Sequence, residues 1–148
     1  WIEQTKVAKT LCHQDYAAGN LLIGEDGNLY VYDMDSLTVD LPIRDMRKIL
    51  NKVMKKETAW DLERMIKMMK AYQEENPLTE EQYHIFAAEL LFPHLFYGQV
   101  TKYYEKREAK WTFHKHISKL NDMIATEQSK ISVIQGFLNR LDEVIGND

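Results

Sequence analysis

Cysteine, proline, glycine and net positive charge are all scarce in this sequence, and each shortage excludes a class of protein. The single cysteine, Cys12, rules out an internal disulfide and a disulfide-built mini-protein, and it favours a reducing compartment. Lysine and arginine number 19 against 23 acidic residues, and a net charge of −4 argues against a nucleic-acid-binding protein. No apolar run reaches the roughly 18–20 residues that a membrane span needs, and no signal-peptide pattern is present.

The overall composition is that of a folded domain. Hydrophobic residues make up 45% of the 148 positions and charged residues 28%, which excludes a disordered or collagen-like chain. By length alone, residues 1–148 form one domain with a single core. The first residue is Trp1 and not Met, so we expect a processed chain or a piece of a longer one.

The beginning of the chain is rich in turns. Three of the six glycines, Gly19, Gly24 and Gly27, fall within nine residues. The apolar segments 21–23 and 29–32 flank a Glu-Asp-Gly-Asn sequence, in which Asp-Gly tolerates positive φ angles. This pattern predicts a β-hairpin spanning roughly 20–33.

The remainder of the chain is predicted to be helical. Asp40 and Thr58 are expected to cap the first two helices, with Asp61 at the capping-box position of the second. Thr79 is expected to open a third helix, and Pro93 to start or bend a fourth. The predicted ranges are about 40–56, 58–75, a helix from 79, a segment from 93 to 104, and one or two helices over 112–145. Apolar residues from 117 to 145 are expected to pack the last helices. The fold class is therefore α+β, mainly helical, with a short β-hairpin and about five helices.

Three polar residues beside the hairpin suggest a chemical site. Asp15 and Asn20 lie five residues apart in a glycine-containing loop, and Asp33 follows the second strand of the hairpin. Because a hairpin brings its outer ends together, Asn20 and Asp33 are expected side by side, with Asp15 nearby. Carboxylate and amide oxygens hold Mg²⁺ together with substrate phosphates, and a carboxylate that does not bind metal can accept a proton. This division of roles is what phosphoryl transfer needs, although Asp and Asn also serve as plain turn residues.

The same residues resemble the catalytic and metal-binding loops of the protein-kinase-like superfamily, in its aminoglycoside phosphotransferase and choline kinase branch. The resemblance implies that Asp15 is the catalytic base and that Asn20 and Asp33 are Mg²⁺ ligands. It implies that His13 supports the catalytic loop structurally and that Asp45 holds the loop backbone by hydrogen bonds. The implied cofactors are ATP and Mg²⁺.

A closer resemblance is to the spore coat protein S family, which is kinase-like. It covers residues 11–50 and is carried by three sequences. These are His-Gln-Asp-Tyr with Gly-Asn after it, Tyr-Asp-Met-Asp-Ser, and Asp-Leu-Pro-Ile-Arg-Asp-Met-Arg-Lys. The implied fold is the C-terminal lobe of a kinase-like protein. In it, residues 11–36 form the catalytic loop, hairpin and metal-binding loop, and residues 40–148 form a helical subdomain.

The implied activity is transfer of the γ-phosphoryl group of ATP to a hydroxyl of a small molecule or protein. Neither a glycine-rich nucleotide loop nor a strand lysine precedes the motif, so the N-terminal nucleotide-binding lobe is expected to be absent and the nucleotide-binding residues are unknown. The 148-residue chain alone is then expected to be inactive. The expected location is cytoplasmic or the spore coat, with other coat proteins as partners. The alternative is a catalytically silent kinase-fold scaffold of the spore coat.

Several residues keep two interpretations at this point. Asp35 is either a further metal or supporting ligand or a turn residue. The basic residues from Arg44 to Lys56 form either a solvated helix face or a patch for an anionic ligand. The aromatic residues between 86 and 111 are either helix core or, less often, pocket lining. His114 and His116 are two positions apart and point in different directions on a helix, which argues against a metal pair there.

Overall fold

The computed structural model describes residues 9–146, and their four short strands form two antiparallel ribbons. The strands are β1 (Thr10–Cys12), β2 (Leu21–Ile23), β3 (Leu29–Val31) and β4 (Thr38–Asp40). Strands β2 and β3 pair with Leu22 opposite Tyr30, which confirms the predicted hairpin. Strand β1 pairs with β4, with Leu11 opposite Val39. This second ribbon was not predicted, because three-residue strands carry too little alternation to be recognised.

Within residues 9–146, six α-helices follow, so the fold is mainly helical, as predicted. They are α1 (Ile43–Lys55), α2 (Leu62–Glu75), α3 (Glu80–Leu91), α4 (His94–Tyr104), α5 (Phe113–Asn139) and α6 (Asp142–Ile145). The separation of α3 and α4 at Pro93 follows from the missing N–H of proline, which ends a helix or begins one. Within residues 9–146, no helix is both long enough and apolar enough to cross a membrane.

The predicted helix caps have mixed outcomes. Thr79 caps α3, as predicted, and forms a capping box with Gln82, in which each side chain accepts a hydrogen bond from the backbone N–H of the other residue. The prediction of Thr58 as the cap of α2 is wrong, since Asp61 caps this helix by accepting from Arg64 N at 2.6 Å. A carboxylate is a strong N-cap acceptor, and its position three residues later moves the start of the helix to Leu62.

Asp40 has a different role from the predicted cap. It is the last residue of β4, and α1 begins three positions later. Its carboxylate accepts from the backbone N–H of Leu41 at 2.8 Å and pairs with the Arg44 guanidinium at 2.6 Å. Asp40 therefore fixes the connection between β4 and α1.

The chain divides into two compact units. The first comprises the described residues up to Lys52, and its buried side chains include Cys12, Leu41, Ile43 and Leu50. The second comprises residues 53–146, in which α5 packs against α2, α3 and α4. The fully buried side chains of the second unit include Met65, Met69, Tyr83, Phe86, Leu90 and Phe137.

Candidate active site

The candidate site lies on the loop that follows β1. His13 is buried, and its Nε2 lies 3.0 Å from the carbonyl oxygen of Tyr32, the residue immediately before Asp33. This contact fastens the loop to the far end of the hairpin. The supporting role that the resemblance implies for His13 stays a prediction.

Asp45, in the first turn of α1, holds the same loop from the other side. Its Oδ2 accepts from the backbone N–H of His13 at 2.7 Å, and its Oδ1 accepts from that of Gln14 at 2.8 Å. Hydrogen bonds to a carboxylate are about twice as strong as neutral ones. One side chain thus fixes the direction of two successive peptide groups just before Asp15.

The backbone of Gln14 has a strained conformation, which these hydrogen bonds help to stabilise. Its φ angle of 65° lies in the left-handed region, which is unfavourable for a residue with a side chain. Besides the bond to Asp45, its side chain donates to Asp40 at 2.9 Å and accepts from Lys48 Nζ at 3.3 Å. Hydrogen bonds to Asp45, Asp40 and Lys48 therefore stabilise an uncommon backbone conformation of Gln14, the residue before Asp15.

Asn20 lies directly beside Asp15. Its Nδ2 donates to the backbone carbonyl of Asp15 at 3.0 Å and to the carboxylate at 3.2 Å. Because the amide nitrogen faces Asp15, the amide oxygen of Asn20 points the other way and can accept another partner. Tyr32 N donates to Asn20 O at 3.1 Å, so Asn20 lies across the hairpin from the residue that precedes Asp33.

Asp33 and Asp35 lie in the turn that follows the hairpin. Asp33 has φ 63° and ψ 60° and precedes a short 3₁₀ turn, Met34–Ser36, in which Asp35 is exposed. A left-handed aspartate is uncommon and often marks a functional position. Among the residues that the structure describes, no hydrogen bond engages the side chain of either residue. The metal-ligand roles of Asn20, Asp33 and Asp35 remain predictions.

The donor set fits magnesium bound together with a phosphorylated substrate. In the described part of the chain, no group of three or more His, Cys, Asp or Glu side chains could hold a metal ion. Magnesium sites of nucleotide enzymes need no such group, since one or two carboxylates suffice when phosphates and water supply the other oxygens. The Asn20 amide oxygen and the Asp33 carboxylate are of this kind.

Lys52 is the residue at this site that sequence reasoning missed. Its ammonium group pairs with Asp15 Oδ1 at 3.4 Å. Partial burial raises the pKa of the Asp15 carboxyl, but Lys52, the Asn20 amide and the charge of Lys48 outweigh this effect. The net pKa of Asp15 therefore lies below its ordinary value. Burial, followed by the charge of Arg47, lowers the pKa of Lys48.

Three basic residues of α1 make contacts at the loop or beside it. Arg44 donates to Asp40, Lys48 donates to Gln14 and Lys52 donates to Asp15. The only signal in the sequence was the spacing of four between successive basic residues, which places them on one helix face.

Cys12 is excluded from the chemistry. It is buried beside the loop, and its Sγ lies 3.4 Å from the carbonyl oxygen of Leu41. Burial, with the charges of Asp45 and Asp40, raises the pKa of its thiol. A protonated, enclosed thiol is unreactive, so Cys12 is a core residue.

Comparisons with known proteins agree with this geometry. The chain is 39% identical over 144 residues to spore coat protein S of Bacillus subtilis (strain 168), which covers 97% of the chain. The chain spans 40% of the length of this curated relative. Residues 2–137 match the family described as "Spore coat putative kinase YutH". Together with the described fold, these matches show that the chain belongs to this family of kinase-like spore coat proteins.

Proposed function

We propose that this protein is a phosphotransferase of the spore coat that moves the γ-phosphoryl group of ATP to a hydroxyl of a small molecule or protein. The observation that carries the proposal is the position of the Asp15 carboxylate. It lies 3.2 Å from Asn20 Nδ2 and 3.4 Å from Lys52 Nζ, on a loop that Asp45 and His13 hold at the backbone. A fixed carboxylate beside a cation and an amide suits a base in phosphoryl transfer.

In the proposed reaction, the acceptor hydroxyl oxygen forms a bond to the γ-phosphorus of ATP. The bond between this phosphorus and the bridging oxygen breaks, and ADP leaves with the electron pair. The hydroxyl proton passes to the Asp15 carboxylate. Because its pKa is lowered, Asp15 is a weak base that mainly orients the hydroxyl and takes the proton late. The Asn20 amide oxygen and the Asp33 carboxylate would hold Mg²⁺, which neutralises phosphate charge.

Lys52 has a proposed electrostatic role. The transferring phosphoryl group carries negative charge on its outer oxygens, and a nearby cation stabilises that charge in the transition state. The Lys52 ammonium group lies beside Asp15. Asp15 is the residue that would orient the acceptor hydroxyl for its attack on the γ-phosphorus. On this proposal, Lys52 supplies positive charge next to the reacting atoms.

The test compares D15N with E25Q in the protein expressed from its natural gene. Glu25 is an exposed carboxylate in the hairpin turn, so E25Q makes the same chemical change away from the loop. We expect D15N to lower ADP formation by about 10²-fold or more with Mg·ATP and to leave nucleotide binding unchanged, while E25Q keeps full activity. Equal activity of D15N and the unmodified protein would refute the role of Asp15.

The second candidate is a silent scaffold, and the name of the matched spore coat protein favours it. A scaffold does not need nucleotide, so Mg·ATP would leave its melting temperature unchanged, whereas a kinase is stabilised by binding. A melting temperature that is independent of Mg·ATP, together with normal coat assembly of D15N in spores, would decide for the scaffold.

Fluorescent tagging of the protein in sporulating cells tests the proposed coat location.

A further inference from the structure

Helices α4 and α5 of the second unit carry an exposed aromatic patch, formed by Tyr103, Tyr104, Trp111 and Phe113. Tyr104 is 76% exposed, Phe113 66% and Tyr103 43%. The centroid of the Tyr103 ring lies 5.3 Å from that of Tyr104 and 6.1 Å from that of Phe113, so these rings form one continuous surface. Soluble proteins usually expose large apolar side chains singly, and a continuous group of them marks an interaction site.

The aromatic patch is concave. Val100, Ile117 and Leu120, together with three of the rings, line a recess of about 240 Å³ between the two helices. A second recess of about 370 Å³ lies beside the turn that joins them, where Trp111 and Lys106 contribute to its walls. A concave apolar wall fits a protruding side chain of a partner better than it fits the flat surface of a membrane. In protein interfaces, the residues that contribute most to binding fill pockets of this kind.

The segment that contains the aromatic patch is positively charged. Residues 94–119 include six lysine or arginine residues and two acidic ones, although the whole chain has a net charge of −4. Both acidic residues are already paired with basic residues of this segment, and Lys119 pairs with Asp122. Lys106, Lys110 and Lys115 form no ion pair with any residue in the range 9–146. The segment therefore has positive charge that its own carboxylates do not neutralise.

The unpaired lysines lie at the aromatic patch itself. Lys106 lines the larger recess, and the Lys115 ammonium group lies 4.6 Å from the centroid of the Trp111 ring. Lys110 is exposed and immediately precedes Trp111. Helix α5 begins at Phe113 with no acidic residue in its first turn, so the positive end of its backbone dipole adds to this charge. Positive charge around an apolar recess selects a partner that carries negative charge.

We propose that the aromatic patch binds an acidic segment of a partner protein. A large apolar side chain of that segment fills the recess, and its carboxylates lie beside Lys106, Lys110 and Lys115. Protein interfaces commonly have this arrangement, with aromatic side chains at the centre and charged groups at the rim. The proposal is independent of the proposed phosphoryl transfer, because it uses none of the same residues, and either can fail without the other.

The test uses the synthetic peptide Glu-Glu-Trp-Glu-Glu-Leu-Glu-Glu and two matched peptides. One has glutamine in place of every glutamate, and the other has serine in place of the tryptophan and the leucine. Isothermal titration calorimetry with the protein expressed from its natural gene gives each Kd. We expect the first peptide to bind about tenfold more tightly than either of the others, and its affinity to fall as added salt screens the charges. Equal binding of the three peptides, or no binding of the first, would overturn the proposal.

A pair of lysine variants locates the charge effect. K106Q/K110Q removes two unpaired charges at the aromatic patch and should reduce the preference for the glutamate peptide over the glutamine peptide. K56Q/K67Q removes the same charge from exposed lysines elsewhere in the second unit and should keep the preference. A preference that is equal in the two variants would refute the assignment of the carboxylates to this patch.

A second pair of variants locates the apolar contact. Y104S/F113S removes two exposed rings and should weaken binding of the first peptide to the level of the serine peptide. I131S removes an exposed isoleucine elsewhere on α5 and should leave binding unchanged. Unchanged binding to Y104S/F113S would refute the proposal. Binding of phosphatidylserine vesicles or a uridine oligonucleotide instead of the peptide, or self-association that K106Q/K110Q abolishes, would replace the proposed partner with another.

Discussion

At the scale of single residues, Asp15 owes its properties to neighbours from separate parts of the chain. Asn20 follows it in the same loop, whereas Lys52 and Lys48 project from α1. Their combined effect is to favour the ionised carboxylate over the protonated form. Since the folded-state pKa is lowered, this contribution to stability is present above the unfolded value of 3.8 and is lost as the pH falls through the folded pKa.

Replacing Lys52 with glutamine should raise the pKa of Asp15 toward its ordinary value, because the change removes a hydrogen bond and a nearby positive charge. Nuclear magnetic resonance titration of the Asp15 carboxyl carbon measures this shift directly. K56Q serves as the control, since Lys56 is exposed beyond the end of α1. A titration curve that is the same in K52Q and the unmodified protein would show that Lys52 does not affect Asp15.

The residues of the site were predictable from the sequence to different extents. The motif spacing and the family resemblance led to His13, Asp15, Asn20, Asp33 and Asp45. In the structure, His13 N donates to Asp45 and the His13 ring contacts the carbonyl of Tyr32. Lys52 was not assigned to the site, because 37 positions separate it from Asp15 and only the folded chain brings the two together. The catalytic and metal roles stay predictions that need functional measurement.

At the scale of the helices, two adjacent residues of α5 reverse the usual rule that charged side chains are exposed and apolar side chains are buried. Lys130 is buried, although it is charged, and Ile131 is exposed. The Lys130 ammonium pairs with Glu127 and donates to the carbonyl of Phe92 at 3.3 Å. Glu127 in turn accepts from Leu95 N at 2.7 Å, in the first turn of α4. The pair therefore satisfies backbone groups at both sides of the break at Pro93, a role that apolar periodicity does not reveal.

Replacing Lys130 with methionine should lower the free energy of unfolding by about 3–5 kcal/mol, because it leaves the Glu127 carboxylate buried without its cation. K119M on the same helix is the matched control, since Lys119 pairs with Asp122 three residues away but is exposed. Its expected loss is less than about 1 kcal/mol. Urea denaturation measures both values, and equal losses would contradict a structural role for the buried pair.

The starts of the helices show why cap positions are only partly predictable. Thr79 has Gln82 three residues later, and both halves of the capping box form. Thr58 shows the same type of pattern with Asp61, but the aspartate is itself the stronger cap. Where two capping residues lie this close, the packing of the helix decides between them. Here the helix buries Met65, Ile66 and Met69 and starts at Leu62.

At the scale of the whole molecule, the strands of the first unit leave many apolar side chains exposed. Leu11 and Val39 lie opposite each other in the β1–β4 ribbon and are 65% and 66% exposed. Ile23 and Leu29 are opposed and exposed in the hairpin. Apolar side chains of soluble proteins are usually exposed singly, so opposed pairs of this kind are unusual.

The L11K/V39K variant of the 148-residue chain should bind less of the dye 8-anilinonaphthalene-1-sulfonate and should self-associate less than the unmodified chain. Charged side chains replace one exposed apolar pair there, and lysine on an edge strand opposes edge-to-edge pairing. Dye fluorescence and sedimentation velocity measure the two effects. I131K replaces an exposed isoleucine on a helix and should change both less. Equal dye binding by all three proteins would contradict this account of the strands.

The two hydrogen bonds that Asp45 accepts also make the opening of the loop measurable. Two successive backbone N–H groups, those of His13 and Gln14, donate to the two oxygens of one carboxylate. Neither amide proton can exchange with deuterated solvent until Asp45 releases the loop, so the two exchange rates are linked to a single event. Their common protection factor reports how often the segment that carries Asp15 leaves its position, with no substrate or partner present.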